Sequence, residues 1–365
     1  MSVSSPRQPP PKAAGPWSWA RRNLFSSPGN AAVSLVCAVL IAGIGAAMVD
    51  WLVLSAAWRG TRLEDCAGAE GACWPFARAR WDQFVYGVYP EGQRWRIDGA
   101  LVLALLIALL AATRPLRRRP VHALALLLAW PVAAGLLLRG GVAGLVPVET
   151  ARWGGLILTL FMAAAAIAIA LPAGILLALA RRSSKTALRT FAVCWIEFWR
   201  GVPMLAVLFV AVSMFPLFMP AEIELDRLVR AMAAFVIVTA AFMAEAVRGG
   251  LQAIPDGQFE AARALGLGYW RTIGLVALPQ ALPIALPSIV NIAILVFKET
   301  TLVIVIGVFC LLGMIQTAAT SPEWISEQAI LTGYAIAAAA YWIFCFGLSR
   351  VGLRLEARLA RGRQQ

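Results

Sequence analysis

The sequence predicts an all-α integral membrane protein with about eight transmembrane helices. Three observations predict it. Of 365 residues, 61% are hydrophobic and 14% charged, with mean hydropathy +0.76, whereas a soluble domain carries about 25% charged residues. The apolar residues form long unbroken runs rather than alternating, which suits helices and not barrel strands. The basic excess, +13 formally, is packed into short segments between those runs, as the positive-inside rule describes. A nucleic-acid partner would call for a basic, aromatic-interleaved soluble domain, and no segment has that character.

Taken in order, residues 1–30 ("SSPRQPPPKAAGPWSWARRN" and its flanks) read as a disordered basic tail. They carry no signal-peptide pattern, because the first apolar run starts near Ala31 without a cleavage-type flank. The predicted spans are 31–54, 99–113, 121–138, 153–180, 191–214, 228–247, 283–307 and 328–349. The second and third are short for a span of about 20 residues, and lean on snorkelling Arg114 and on Trp95 and Trp130. Loop 58–98 holds Cys66 and Cys73, which can pair if the loop faces an oxidising compartment. Cys37, Cys194, Cys310 and Cys345 sit in apolar runs as packing residues. The one histidine, His122, stands at a span boundary.

Orientation follows from the basic residues. Twenty fall on one side: the N-terminal tail (Arg7, Lys12, Arg21, Arg22), "RPLRRRP" (Arg114, Arg117, Arg118, Arg119), "RRSSKTALR" (Arg181, Arg182, Lys185, Arg189), the loop with Arg248, Arg263 and Arg271, and the C-terminal Arg350, Arg354, Arg358, Arg361 and Arg363. Ten fall on the other, six of them in loop 58–98. Both termini and the 248–279 loop are therefore expected in the cytoplasm. The uncharged stretch 300–322 is long enough to span, but a span there would put the arginine-rich C-terminus outside, so its later part is expected to be re-entrant or interfacial.

The 248–279 loop carries the strongest pattern. Asp256, after Pro255, is placed to cap a helix. Glu260 lies in its first turn with Arg263 three residues on, and Phe259, Ala262 and Leu265 make an apolar stripe. Gly266 and Gly268 permit a tight turn, and a second short helix from Tyr269 is expected to end at Pro279. From physics alone this is an amphipathic helix–turn–helix at the membrane surface.

The same stretch, Glu260-Ala261-Ala262, three residues, Gly266, nine residues, Val276, one residue, Leu278-Pro279, resembles the signature loop of bacterial ABC importer permeases, with Val276 in place of isoleucine. The flanks "EFWRGVP" (Glu197 to Pro203), "EAVRGGLQAIPDGQFEAARALGL" (Glu245 to Leu267) and "FKETTLVIVIGV" (Phe297 to Val308) resemble the polar amino-acid branch of that family, closest to the general L-amino-acid permeases with an N-terminal extension. The resemblance implies a type I, five-helix core over 149–356, preceded by three extra spans in 31–148 and followed by a basic tail, 357–365. It implies that the loop is a coupling helix seated on a cytosolic ATPase dimer. Further implied partners are a second permease, identical or homologous, and a periplasmic amino-acid-binding protein, all at the bacterial inner membrane. This chain would bind no cofactor; ATP and magnesium would be used by the partner. It carries no Gly-x-x-x-x-Gly-Lys-Ser/Thr loop.

Charges within the apolar runs cost about 2.5–3.5 kcal/mol each at a helix centre. Glu197 and Arg200, three apart, can pair on one face, whereas Lys298 and Glu299 cannot face each other. All four are candidates for the translocation path or for interhelical ion pairs. Glu245 and Arg248 are placed to brace the coupling loop. Pro203 should loosen its helix. The run "AAAAIAIA" (Ala163 to Ala170) offers a smooth packing face, with Pro172 as a possible kink. Trp17, Trp19, Trp51, Trp58, Trp153 and Trp324 read as interface anchors. The rival function is an ion-gradient-driven secondary amino-acid transporter using Glu197 and Lys298 as a proton relay. A membrane-embedded enzyme would need more than one histidine or a catalytic cluster.

Overall fold

The computed structural model describes residues 15–112, 120–220, 222 and 224–362. Arg7, Lys12, Arg114, Arg117, Arg118, Arg119 and Arg363 lie outside the described residues, as do residues 1–14 of the predicted disordered tail. The chain divides into two compact units, Met1–Pro75 and Phe76–Gln365.

In the first unit, residues 15–30 are not the featureless tail expected. Helix α1 (Pro16–Asn23) starts on a proline at its first position and is tied by the Ser18 hydroxyl to the Gly15 carbonyl at 2.8 Å. Helix α2 (Pro28–Val49) is capped by Ser27, whose hydroxyl accepts from the Asn30 amide at 3.2 Å. It runs on through a π turn to Leu54, 27 residues in all, enough for a span. The segment after it folds back on its end: Ala72 donates to Trp51 O at 2.8 Å and Gly71 to Ser55 O at 3.0 Å. A Cβ at Gly71 would lie 2.4 Å from the Trp51 carbonyl, so the turn needs glycine. Trp58 stacks on Trp74 at 5.4 Å, and Cys66 is bonded to Cys73 across a separation of seven residues. The ring closed is small, so Cys66→Ser is expected to cost about 2 kcal/mol. Limited proteolysis should then cut between residues 60 and 70 of the variant well before it cuts wild type.

The second unit begins in α3 (Trp74–Ala79) and α4 (Trp81–Tyr86). Phe76 packs on Phe84 and on Trp324, both at 5.7 Å, and Arg80 pairs with Glu323 at 2.5 Å. Loop 58–98 is thus largely structured, and Trp324 is buried rather than an interface anchor. Helices α5 (Trp95–Ala112) and α6 (Pro120–Arg139), of 18 and 20 residues, pack together through Trp130, whose indole donates to Ala100 O at 2.9 Å. They share one buried cluster with the helices that follow, including Leu138, Trp153 and Ile157. Two of the three extra spans therefore belong to the same compact unit as the 149–356 core. Trp153, edge-on to Phe161 at 5.3 Å, is buried there and anchors nothing at the interface.

Helix α7 (Gly155–Arg181) runs unbroken through Pro172. Its alanine face meets α10 (Arg227–Gln252), where Gly174 admits the backbone: a Cβ there would lie 2.6 Å from Met243 Cβ and 2.9 Å from Ala244 N. Lipid offers helices no hydrophobic drive to associate, so close packing of small residues has to supply it. Between them, the single span expected over 191–214 is broken. Helix α8 (Thr186–Gly201) and the helical run Met204–Phe218, which starts as α9 (Met204–Phe209), are bent by 100°. Val202 is extended (φ −91°, ψ 131°), the conformation that the ring of Pro203 imposes on the residue before it.

Helix α11 (Asp256–Ala264) is capped by backbone alone: Pro255 is the N-cap, and Asp256 sits inside the first turn rather than capping it. Helix α12 (Tyr269–Thr272) does not stop at Pro279. It passes through a π turn, Ile273–Ala277, into α13 (Leu278–Glu299) and a 3-10 turn, Thr300–Ile306, giving 38 continuous residues. The π turn shifts the bonding register just where the proline lacks an N–H. Gly307, at φ +72°, ends the run. Helix α14 (Leu311–Ala319) has nine residues, about 14 Å at 1.5 Å per residue, and cannot span a core of about 30 Å. Helix α15 (Glu327–Gly362) continues through most of the expected tail 357–365. Among the described residues five helices are long and apolar enough to cross a membrane, six if the bent pair is one span.

Candidate functional site

The loop between α10 and α13 is a surface on a folded base. Helix α11 ends in a two-bond clasp: Gly266 N donates to Arg263 O at 2.9 Å and Leu267 N to Ala262 O at 3.0 Å. That clasp needs the left-handed φ of +72° at Gly266. Gly268, at φ −67°, is ordinary backbone and simply precedes α12. Ala262 is buried; Phe259 is half-buried and packs, with Leu278, on a cluster of Leu251, Ile254, Ile273, Ala277 and Ala281. Gln280 reaches back to Gln258 at 3.3 Å. Glu260, Ala261, Gly266 and Pro279 are exposed.

Two expectations fail locally. Leu265 does not continue the buried stripe but is 80% exposed. Arg263 makes no ion pair with Glu260; its Nε donates to Phe259 O at 3.3 Å. The clasp turns the chain at Leu265, so the i, i+3 face is lost there. Leu265, Tyr269, Trp270 (69% exposed) and Leu275 are instead all exposed on this short segment, with the Tyr269 and Trp270 rings edge-on at 5.3 Å.

Directly behind the loop, the ends of three helices meet in an ion-pair network. Arg181 of α7 holds Glu197 of α8 at 2.9 Å and Glu245 of α10 at 3.4 Å. Arg200 of α8 holds the same two carboxylates at 3.5 and 4.0 Å. Arg248 lies along Glu245, its Nε 3.0 Å from both oxygens, and donates to Gln252 at 2.6 Å. Arg182 turns the other way. It donates to Leu251 O at 3.0 Å and lies over the Phe259 ring of α11 at 5.4 Å. The adjacent pair Arg181–Arg182 thus ties the network to α11. In the sequence both arginines count only toward the positive-inside charge. The one sequence signal for another role is that Arg181 completes the last turn of an apolar run.

Lys298 and Glu299 are not part of this network. Lys298 is exposed and Glu299 half-buried, and neither forms an ion pair among the described residues. Cys66 and Cys73 lie in the first unit.

Residues 170–361 match the family described as binding-protein-dependent transport system inner membrane component. Over 345 residues the chain is 46% identical to the inner membrane amino-acid ABC transporter permease protein YhdY of Escherichia coli K12, covering 94% of this chain and 93% of that one. It is 34% identical over 424 aligned residues to the glutamate/glutamine/aspartate/asparagine transport system permease protein BztC of Rhodobacter capsulatus, covering 98% and 96%. A crystal structure of an amino acid ABC transporter with histidines has 30% identity and TM-score 0.48, covering 56% of this chain and 92% of that one. The ion-gradient reading is thereby set aside. The chain belongs to the inner-membrane components of binding-protein-dependent transport systems: it is a multi-pass permease subunit of an ABC importer, and hydrolysis of ATP is the work of other subunits.

Proposed function

We propose that this permease carries amino acids across the inner membrane, and that Glu260, Ala261, Ala262, Gly266, Leu278 and Pro279 shape the face on which a cytosolic ATPase dimer docks. The observation that carries the substrate class is likeness along the whole chain to two permeases named for amino-acid transport. The loop faces the cytoplasm, with both termini, because the basic residues crowd that side. A second permease completes the path, and a periplasmic binding protein delivers substrate to its outer end. ATP and magnesium stay with the ATPase.

The mechanism is mechanical. ATPase closure pushes on α11, and Arg182 and Phe259 pass the displacement to the ends of α7 and α10. Glu245 and Arg248 brace the loop, while Glu197 and Arg200 join α8 to the same movement. The unpaired Lys298 and Glu299 lie on the path, where a zwitterion can meet them. Substrate affinity must differ between the outward-open and inward-open states, otherwise ATP would drive nothing.

A mild-detergent pull-down of the tagged chain tests this, comparing wild type with a Glu260→Arg, Gly266→Trp double variant. Wild type should bring down an ATPase and a second permease. The variant should keep the permease and lose the ATPase: Glu260 is exposed, a Cβ at Gly266 meets nothing within 4 Å, and the strain a side chain adds at its left-handed φ of +72° falls on the clasp of the docking loop itself. An ATPase retained equally by both, or absent from both, removes the docking role.

A further inference from the structure

The end of α10 opposite the coupling loop carries two arginines without a carboxylate partner. Arg230 donates through Nη1 to Val212 O at 2.5 Å. Val212 lies in the π turn Val210–Met214, just before Pro216, which has no N–H to offer it. The guanidinium has five donors, and Nε, although buried, has no partner. One turn earlier, Arg227 lies over Gly307: a Cβ there would be 3.0 Å from its Nη1. Neither forms an ion pair among the described residues. Asp226 is committed to capping α10, accepting from Leu228 N at 2.8 Å and Val229 N at 3.2 Å, and accepts from Thr150. Glu222 and Glu224, in the preceding loop, are exposed and in ion-pair contact with neither.

Their surroundings point to a ligand. Arg230 reaches the π turn Val210–Met214 of the broken run, and Arg227 the glycine that ends the 3-10 turn Thr300–Ile306. Non-α backbone at membrane depth is tolerated only against protein or along a water-filled cavity, and broken helices of this kind line substrate paths in transporters. Two guanidiniums with spare donors, both aimed at such breaks, form a receiving point for an anionic group.

We infer that Arg227 and Arg230 receive the carboxylate of the incoming amino acid at the mouth of the path opposite the coupling loop. This rests on the amino-acid reading above. The same chemistry could be met by a lipid phosphate, so the test separates the two. The complex recovered by the pull-down is reconstituted in vesicles of phosphatidylcholine, with and without phosphatidylglycerol, and saturated with substrate-loaded binding protein. Uptake of radiolabelled glutamate, glutamine and arginine is measured for wild type, Arg227→Gln, Arg230→Gln and Arg230→Lys.

Arg230→Gln, which can still donate to Val212 O, should lower uptake about tenfold or more. The loss should be greatest for glutamate, be partly restored in Arg230→Lys, and leave binding-protein-stimulated ATPase intact. Wild-type uptake rates in both glutamine variants overturn the assignment. So does a defect equal for the three substrates that changes with the phosphatidylglycerol fraction, which would make a lipid headgroup the anion. A wild-type complex that retains its ATPase but imports no amino acid overturns the amino-acid reading itself, and this inference with it.

Discussion

Gly250→Leu is expected to destabilise the permease by about 3 kcal/mol or more, at or beyond the usual limit of overpacking. A Cβ at Gly250 would lie 2.3 Å from the Ala281 carbonyl oxygen and 3.1 Å from Ala285 Cβ. The first of these is backbone, so no rotamer change relieves it, and α10 and α13 must separate. The consequence reaches the loop, because Leu251, Ala277 and Ala281 form the base under α11. Gly249 is the control. It is adjacent, in the same helix, and a Cβ there meets nothing within 4 Å. Gly249→Leu should be neutral or stabilising by up to about 1 kcal/mol through helix propensity. Thermal unfolding of the two purified variants in one detergent, read by loss of the monodisperse peak, checks the contrast. Equal stabilities would mean that the α10–α13 contact is looser than described.

Glu245→Ala should have the next largest effect. Its carboxylate meets Arg181, Arg200 and Arg248. Without it three guanidiniums share Glu197 alone. Breaking a buried ion pair costs about 3–5 kcal/mol; the side chains here are about a quarter exposed, and solvent screening brings the expectation to roughly 2–3 kcal/mol. Removing Arg248 as well should recover part of that loss, since one excess cation goes with it. A double-mutant cycle on thermal stability reads this coupling directly. Additive losses would show that Glu245 and Arg248 act independently. In the assembled transporter, Glu245→Ala should also lower uptake more than ATPase activity, because the network joins α7, α8 and α10 immediately behind α11, the proposed docking helix.

Much of the site was legible in the chain. The Glu260–Pro279 pattern lies within one short segment, so linear spacing suffices to find it; the glycines 266 and 268 mark the turn, but only the structure gives the left-handed φ to Gly266 rather than Gly268. The pair Glu197–Arg200 was visible for the same reason: three residues apart on a helix is a contact. Arg181 was not, because its partners lie 16 and 64 positions away. Nor were Arg227 and Arg230, whose surroundings come from the breaks in two other helices.

By itself, then, the sequence determined what depends on local spacing and composition: helices rather than strands, the principal apolar runs, the helix–turn–helix and its signature, and through that signature the family. Tertiary structure alone decided the rest. The 100° break between α8 and α9, the continuous helix through Pro279, the burial of Trp153 and Trp324, and the sharing of two carboxylates among three arginines all depend on which distant segments meet. A proline weakens a helix wherever it stands, but whether the helix breaks, as before Pro203, or shifts register and continues, as before Pro279, is set by what packs against it. Hydropathy marks a tryptophan as amphipathic, yet only a neighbouring aromatic such as Phe161 or Phe76 draws it inside.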